Sequence, residues 1–463
     1  MDHVLGIDLG GTSLRAGLVT ADGRIAALAA RRHRIEAEAE PEDWWRALLD
    51  LLGELDLTTA RAVAFSGFTR SQVFTDETGM PVRPALCFPD GRATEDAAAL
   101  AAAARGTWTE MTAFHPIARL AYVRRTDPEG FAATRMVLQP KDWLGLRLTG
   151  EAAADRISNA WALDRKGRVR DLAPFRRAGI DAGLIPILLA PTDRLGTVRH
   201  LPALDGLPVF IGAMDTWCAS IGAGAGRAGD AYIVSGTTDA AGVLADEPLE
   251  SPGLVTLPWG PGLFHTGGPS GAGADCLEWL AEFLGMPGAD SVAAMAASAD
   301  AGAPPLLFLP ALSGERAPTW QPQARGAFIG LDRRHGPPEL ARAVMEGVAF
   351  ADRDLLGGLG FSRLLLTGGG ARSDLWCRIR ANVLGCPVQR AGTAEPGVLG
   401  AALVAWTGLG RYASLAEAQS AASQDTETFN PRPAERARHE ALYTAYKQAQ
   451  SACLPLAQAL AAL

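Results

Sequence analysis

The stretch LGIDLGGTSLRAGLVTADGRI, residues 5–25, decides the fold of the first part of the chain. A short apolar segment ends in a carboxylate, Asp8, and a glycine-rich turn follows it. From Leu14 to Val19, side chains alternate with a period of two, which is typical of a strand rather than a helix. The sequence ADGR, residues 21–24, predicts a second hairpin, and IAALA after it predicts a third strand. We therefore predict an antiparallel meander.

The turn in this stretch does not have the pattern of a dinucleotide site. A Rossmann fingerprint needs G-x-G-x-x-G at the entrance of a helix, and this turn has neither that spacing nor that context. Two interpretations remain open. One is an ordinary glycine hairpin. In the other, Asp8 holds a hydrated Mg²⁺ while the amides and hydroxyls of Gly11, Thr12 and Ser13 face a phosphate.

The composition of the chain narrows its class. With 463 residues, 48% of them hydrophobic and 20% charged, the chain can bury a large core and form two or three domains. Its net charge of -8 favours neither nucleic acid nor an anionic membrane as a partner. Six cysteines without a C-x-x-C pair indicate reduced thiols, and we find no signal peptide or long apolar span. We expect a cytoplasmic protein that binds a small molecule.

The second half of the chain repeats the pattern of the first stretch. The sequence DAYIVSGTTDAAGVLA, residues 230–245, again has an apolar strand, a small turn and a second apolar strand. The turn contains Gly236, Thr237 and Thr238 and follows a glycine-rich junction at residues 222–230. Two similar domains, each with a hydroxyl-rich hairpin for one nucleotide, would explain this layout. A coincidence of two hairpins is the alternative.

Two further segments place polar groups at the end of apolar strands. In LPVFIGAMDTWCASIGAGAG, residues 207–226, Asp215 ends a strand and begins a segment of small residues. This position suits a general base, and it equally suits a helix cap. In LLLTGGGARSDLWCRIRANVLGCPV, residues 364–388, Ser373 is the predicted cap of a helix. Gly369 and Gly370 before it would let a flat group approach the backbone.

These motifs resemble those of the FGGY carbohydrate kinases, which belong to the superfamily of actin, hexokinase and the heat-shock chaperones. The matching segments are DLGGTSLR, SGTTDAAG, GAMDTW, FLPALSGERAPTWQPQARGAFIGL and TGGGARSDLWCRIRANVLGCPV. The resemblance implies an α/β fold of two ribonuclease H-like domains of the actin and hexokinase type, with a nucleotide and sugar cleft between them. The N-terminal domain, residues 1–225, would hold the sugar and the first phosphate segment. The C-terminal domain, residues 226–463, would hold the second phosphate segment and the adenosine segment.

The resemblance also implies a mechanism and a set of site residues. Asp215 would be the catalytic residue that accepts the proton of the sugar hydroxyl, and Asp8 would hold Mg²⁺ through water. Sugar contacts are predicted for Arg70, Asp90 and Arg92, whose charged groups bind hydroxyls with directed hydrogen bonds; a surface salt bridge is the alternative for each. The residues predicted to bind ATP are Gly11, Thr12, Ser13, Arg15, Gly236, Thr237, Thr238, Gly273, Gly369, Gly370 and Ser373.

The sequence leaves the substrate open. The segment GFTRSQ, residues 67–72, stands where xylulose kinases of the family carry a Gln-Met-His-Gly segment that touches the sugar. A ketopentose such as xylulose is the first expectation, with fuculose, ribulose, erythritol or glycerol as alternatives. A ROK-type glucokinase shares the GIDLGGT opening but is shorter and has a cysteine-rich zinc motif. A non-catalytic sensor of ATP and sugar is the remaining alternative, and Asp215 argues against it. The resemblance suggests a homodimer.

Overall fold

The computed structural model describes residues 1–104, 111–164, 168–180, 182–199, 201–422 and 426–461. The chain divides into two units. The first unit comprises Met1–Gly222 and Gly397–Ser423, and the second comprises Ala223–Pro396 and Gln424–Leu463. Each unit has a mixed sheet with helices packed against it, which confirms the predicted α/β class.

The first unit contains strands and helices from both of its segments. Its strands are β1 (His3–Leu9), β2 (Ser13–Val19), β3 (Ile25–Arg32), β4 (Glu38–Ala39), β5 (Ala60–Gly67), β6 (Val73–Thr75), β7 (Ala85–Leu86), β8 (Met136–Leu138), β9 (Ala153–Asp155), β10 (Ile187–Leu189), β11 (Arg194–Thr197) and β12 (Pro208–Met214). Its helices are α1 (Pro41–Leu52), α2 (Thr94–Ala104), α3 (Pro116–Thr126), α4 (Pro128–Ala133), α5 (Pro140–Thr149), α6 (Asp215–Gly222) and, after the second unit, α11 (Pro396–Gly408) and α12 (Leu415–Ala421).

The main sheet of the first unit has the strand order β11-β12-β5-β1-β2-β3. Strands β1, β2 and β3 pair antiparallel, so the predicted meander is confirmed. Strands β1, β5 and β12 run parallel, with Leu9 and Met214 both opposite Gly67. Because parallel strands end at the same edge of a sheet, the residues that end or follow them gather there. Asp8 and Asp215 are among those residues.

Helix α11 packs on this sheet at two glycines that face each other across the β1–β2 pair. Gly6 lies opposite Gly17. A Cβ added at Gly6 would lie 2.4 Å from the carbonyl oxygen of Val398, and one at Gly17 would lie 2.8 Å from the Val398 side chain. Larger residues at these two positions would push the helix away, so the close contact needs glycine on both strands.

Helix α11 also packs closely on other elements of the first unit through its glycines. A Cβ at Gly400 would lie 1.9 Å from the carbonyl oxygen of Cys218 in α6, and one at Gly408 would lie 2.3 Å from the ring of Phe210. The chain therefore returns to the first unit at Gly397–Ser423. The predicted domains, residues 1–225 and 226–463, do not include such a return, and this division of the chain stays a prediction.

The second unit is built on a sheet with the order β15-β16-β14-β13-β19-β20-β21. Its strands are β13 (Asp230–Ser235), β14 (Asp239–Ala245), β15 (Val255–Gly260), β16 (Leu263–Pro269), β17 (Leu307–Leu309), β18 (Ala327–Ile329), β19 (Arg363–Thr367), β20 (Val388–Arg390) and β21 (Glu427–Phe429). Its helices are α7 (Asp275–Leu284), α8 (Ala289–Met295), α9 (Pro337–Leu356), α10 (Asp374–Leu384) and α13 (Pro433–Ala461).

The two main sheets share the arrangement that the repeated sequence pattern predicted. As β1 pairs antiparallel with β2 and parallel with β5, β13 pairs antiparallel with β14 and parallel with β19. The polar turn of each hairpin lies beside the end of that parallel neighbour. Each unit has its own apolar core, which includes Ile7, Val63 and Ile211 in the first and Ile233 and Leu366 in the second.

The cysteines agree with the expectation of reduced thiols. All six cysteines are free thiols, and four of them are buried. Among the helices of the described ranges, none combines the length and the apolar character that crossing a membrane requires.

Candidate active site

Two carboxylates lie at the edge where the parallel strands of the first unit end. Asp8 is buried near the end of β1 and accepts a hydrogen bond of 2.6 Å from the Ser66 hydroxyl on β5. Asp215 is the first residue of α6, directly after β12, and its Oδ1 accepts a 2.7 Å hydrogen bond from the amide of Thr216. Asp215 thus ends a strand and begins a helix, so both local features that the sequence predicted are present.

The surroundings of these carboxylates raise both pKa values. Burial is the main effect that raises the pKa of Asp215, and the negative charge of Asp8 raises it further, to about 6. The hydrogen bonds from Thr216 act in the opposite direction and lower this pKa. Burial also raises the pKa of Asp8, although the Ser66 hydroxyl and the charge of Arg15 oppose this effect. A carboxylate with a pKa near 6 is ionised at neutral pH and still basic enough to take a proton.

The environment of Asp8 fits a metal ion that keeps most of its water. The repulsion between Asp8 and Asp215 is of the kind that a divalent cation relieves. Among the described residues, no group of three or more His, Cys, Asp or Glu side chains is placed to hold a metal. Mg²⁺ binds through few carboxylates and retains several waters, so a single carboxylate such as Asp8 is a sufficient protein contribution.

The predicted phosphate residues of the first unit lie on the β1–β2 hairpin. The turn is closed by a 2.9 Å hydrogen bond from the amide of Gly10 to the carbonyl of Ser13. Thr12 is exposed at its tip and Gly11 is half-buried, whereas Ser13 is buried where β2 begins. Arg15 lies directly opposite Asp8 across the strand pair. The hairpin therefore places Thr12 and Gly11 where a ligand can reach them.

Helix α11 begins against Asp8. A Cβ at Gly397 would lie 2.4 Å from Oδ2 of Asp8, so no larger residue fits there without displacing the carboxylate. The N-terminal end of a helix carries partial positive charge, which favours the ionised form of a carboxylate. The missing side chain at Gly397 therefore lets the start of α11 pack directly on Asp8.

The three predicted sugar residues have different surroundings. Arg70 is exposed and lines a cavity of the first unit. Asp90 is buried, and its carboxylate accepts hydrogen bonds from Nε and Nη2 of Arg92, the shortest of them 2.6 Å. Burial raises the pKa of Asp90, but the hydrogen bonds and the charge of Arg92 lower it more, so the pKa lies below its usual value. Arg92 also bonds Glu38 at 2.6 Å, so the salt bridge considered as its alternative role is present.

A buried arginine that the sequence analysis missed connects the loops that carry these residues. Arg119 on α3 is 1% exposed, and its guanidinium donates to the carbonyls of Arg70, Phe88 and Asp90. It therefore holds the 67–72 segment and the 88–90 segment in place. The sequence gives no signal for this role, because Arg119 lies in a helix that contains other arginines.

The hairpin of the second unit is braced by arginines. Gly236, Thr237 and Thr238 form the turn between β13 and β14, with Thr237 exposed. The Nη2 of Arg316 donates to the Thr238 hydroxyl at 2.7 Å. The Thr238 hydroxyl is thus held in one orientation within the unit.

Two of the remaining predicted ATP residues, Gly273 and Gly370, pack against the same turn. A Cβ at Gly273 would lie 2.5 Å from the carbonyl oxygen of Thr237, and one at Gly370 would lie 2.2 Å from the Ser235 hydroxyl. Gly369 is exposed, with no atom within 4 Å of an added Cβ. Ser373 accepts a hydrogen bond from the amide of Trp376 at 3.3 Å, which confirms its predicted role as the cap of α10. The turn leaves room for Gly273 and Gly370 because neither residue carries a side chain.

A fully buried charge network lies beneath this hairpin, and the sequence analysis did not find it. Arg380 on α10 bonds Asp352 at 2.7 Å through Nε, and its Nη2 bonds Asp239 at 2.5 Å and the Ser235 hydroxyl at 2.9 Å. All three charged side chains are 0% exposed. Arg380 therefore ties the helix of the adenosine segment to both ends of the hairpin turn.

Comparison with known proteins gives a consistent result. The model of the FGGY family of carbohydrate kinases, N-terminal domain, matches residues 3–222, and that of the C-terminal domain matches residues 231–409. A xylulose kinase of Escherichia coli (strain K12) is 31% identical over 442 residues, which cover 89% of this chain and 91% of that protein.

Solved structures agree with the family models. A xylulose kinase and a gluconate kinase, both from Lactobacillus acidophilus, each superpose with a TM-score of 0.87 at 25% identity and cover 98% of both chains. The two-domain α/β fold inferred from the motifs is therefore confirmed. With two domain models matched over most of its length, this chain belongs to the FGGY family of carbohydrate kinases.

Proposed function

We propose that this sugar kinase transfers the γ-phosphoryl group of ATP to a hydroxyl of a ketopentose such as xylulose, with Mg²⁺ as the metal. The observation that carries the chemical part of the proposal is Asp215, a carboxylate with a raised pKa beside Asp8 at the edge of the first sheet. The names of the xylulose kinases to which the chain is similar support the choice of acceptor.

The proposed reaction uses few groups of the protein. Asp215 accepts the proton of the sugar hydroxyl as that oxygen attacks the γ-phosphorus and the bond to the β-phosphate oxygen breaks. Asp8 would hold hydrated Mg²⁺, and the bound ion would supply charge neutralisation at the phosphates. The turns at Gly11–Ser13 and at Gly236–Thr238 contribute amides and hydroxyls to the phosphates. The protein thus acts mainly by positioning the reactants and by electrostatic stabilisation.

A coupled assay of ADP release tests this proposal. The purified protein is incubated with ATP, MgCl₂ and one of a set of neutral sugars and polyols that includes xylulose, ribulose, erythritol and glycerol. We expect sugar-dependent ADP release with xylulose that stops when EDTA removes the metal. If no acceptor stimulates ADP release, the proposed function is wrong. If another polyol gives a higher rate than xylulose, the kinase activity stands and only the proposed acceptor changes.

The pH dependence of the reaction should report on Asp215. Because Asp215 must be ionised to take a proton, activity should fall as the pH drops through about 6, the value to which burial and Asp8 raise its pKa. Below that pH, kcat/KM should decrease about tenfold per pH unit. The check is a profile of kcat/KM from pH 5 to 8 at saturating ATP. A profile that stays flat down to pH 5 would argue against Asp215 as the base.

Gly369 provides a test of the adenosine segment. Gly369→Ala adds a methyl group into open space, so the fold should be unchanged, while a nucleotide bound over the segment would meet the methyl. We expect the KM for ATP to rise about tenfold, the effect of a misplaced methyl in a fitted pocket. Gly360→Ala is the matched control, because it also adds a methyl into open space in the same unit. Equal KM values for ATP in both variants would remove Gly369 from the proposed ATP site.

A further inference from the structure

The residue after strand β3 is bonded to the turn of the β1–β2 hairpin. The amide of His33 donates to the carbonyl of Thr12 at 3.0 Å, and its ring bonds the carbonyl of Gly10 at 2.8 Å through Nε2. Because a carbonyl only accepts, Nε2 carries the proton. Burial lowers the pKa of His33, although the bond to Gly10 raises it, so the ring is neutral at neutral pH. His33 therefore holds two carbonyls of the turn.

The same turn leaves two amides available for a ligand. Within the ranges that the structure describes, the amides of Gly11 and Thr12 donate to no acceptor. Thr12 is exposed and Gly11 is half-buried, so a ligand can reach this part of the turn. Successive free amides in a turn form a concavity that binds anions. With its carbonyls held by His33, the turn is fixed in a shape that suits a phosphate group.

Strand pairing places Arg32, the last residue of β3, on the same face of the sheet as this site. Arg32 lies directly opposite Ser13. Directly opposite residues have their side chains on one face of the sheet, as do residues two apart on one strand. Arg15 is two residues after Ser13 and lies opposite Asp8. Arg32 therefore shares a face with both Asp8 and Arg15.

Arg32 and its neighbour Arg31 differ in their partners. Side chains alternate along a strand, so Arg31 lies on the other face, where its Nη2 pairs with Glu54. Arg32 is exposed, and no carboxylate in the described part of the chain pairs with it. A guanidinium without a counter-ion has all of its donors available for an anion. Two adjacent arginines thus carry the same charge, and only one of them is free to bind a ligand on the face of Asp8.

We propose that Arg32 binds a phosphate group of ATP at the β1–β2 turn and that His33 is a positioning residue that holds the turn for this group. The inference rests on the proposed kinase function and adds both residues to the ATP site of the first unit. A phosphate group has several oxygens, so it can accept from the turn amides and from a guanidinium together. Directly opposite Cβ atoms are about 5 Å apart, which an arginine side chain easily spans.

Nucleotide binding tests the role of Arg32 with a matched pair of variants. Isothermal titration calorimetry gives the Kd of ATP in MgCl₂ without an acceptor, and the ADP-release assay gives the KM of xylulose. Arg32→Gln should raise the Kd of ATP by about 10- to 100-fold, the effect of losing one charge-assisted hydrogen bond. The KM of xylulose, which has no phosphate, should stay within about twofold. Arg31→Gln removes the same charge from the other face and should change neither constant.

Two variants of His33 separate positioning from stability. His33→Ala removes the bond to the Gly10 carbonyl and should raise the Kd of ATP by about three- to tenfold, the effect of one neutral hydrogen bond. His33→Gln keeps a side-chain N–H and should bind ATP within about twofold of the parent. The control is His3→Ala. It removes a ring at the start of β1 that bonds the Thr59 hydroxyl at 2.8 Å, and it should leave the Kd of ATP unchanged.

The outcomes separate this inference from the proposed function. If Arg32→Gln binds ATP as tightly as Arg31→Gln, or if it impairs ATP and xylulose equally, the role of Arg32 is overturned while the kinase function of the parent stands. Equal Kd values of ATP in His33→Ala and His33→Gln overturn the positioning role of His33. If the parent protein neither binds ATP nor releases ADP with any acceptor, the proposed function fails and the inference fails with it.

Discussion

Asp215→Asn is expected to lower kcat by about 10²- to 10⁴-fold, the usual contribution of a general base. The amide keeps the shape of the side chain and its hydrogen bond from the Thr216 amide, but it cannot accept the proton of the acceptor hydroxyl. The KM for ATP should stay within about twofold, because only the proton transfer is lost. The acid limb of the pH profile should disappear from the residual activity. Steady-state kinetics from pH 5 to 8 measures both effects.

The stability of the same variant distinguishes loss of chemistry from loss of fold. Because burial and Asp8 raise the pKa of Asp215 to about 6 in the folded protein, its ionised form is disfavoured there. Above about pH 6 the ionised carboxylate therefore lowers the stability of the folded protein. Because Asp215→Asn removes this charge, the variant should melt at the same or a higher temperature than the parent at pH 8. Asp50→Asn, at an exposed position of α1, should change neither activity nor melting. A kcat within tenfold of the parent would exclude Asp215 as the base.

Arg380→Met is expected to lower the free energy of unfolding by about 3–5 kcal/mol, the usual loss when one partner of a buried ion pair is removed. The substitution leaves Asp239 and Asp352 buried without their cation. Burial and the charge of Asp352 already raise the pKa of Asp239, so both carboxylates cannot remain ionised at low cost. In the folded variant one of these carboxylates is expected to stay protonated, whereas both are ionised in the unfolded chain. The loss of stability should therefore grow as the pH rises from 5 to 8, because unfolding then releases that proton more readily.

Urea unfolding followed by the fluorescence of tryptophan measures this prediction. Arg372→Met is the control, because it removes an exposed arginine whose pair with Asp290 is solvated, and it should change stability by less than about 1 kcal/mol. Adding Asp352→Asn to Arg380→Met should recover part of the stability by removing one buried charge. If Arg380→Met is as stable as Arg372→Met, the network does not hold the hairpin.

Local patterns in the sequence were sufficient for much of the fold and of the candidate site. The period-two alternation after Gly11 predicted the β1–β2 hairpin, and the strand before Asp215 predicted the carboxylate at the sheet edge. These features could be predicted from the sequence because strand pairing across a short turn depends on residues that are neighbours in the chain. The roles of the site residues remain predictions, which the variants described above test.

Other features depended on contacts between distant parts of the chain. In the sequence, Arg119 and Arg380 look the same as the arginines beside them, because charge and helical position do not show whether a side chain is buried or solvated. Their roles appear only when the carbonyls of the 67–72 and 88–90 segments, or the carboxylates of Asp239 and Asp352, are placed around them.

The sequence alone determined the hairpins, the carboxylates that follow the apolar strands, and the family to which the chain belongs. The tertiary structure decided that Gly397–Ser423 returns to the first unit, where Gly397 packs on Asp8, and that Arg92 pairs with two carboxylates, those of Glu38 and Asp90. The reason is physical. Periodicity and turn chemistry are properties of neighbouring residues, whereas burial and charge compensation depend on which distant residues the fold brings together.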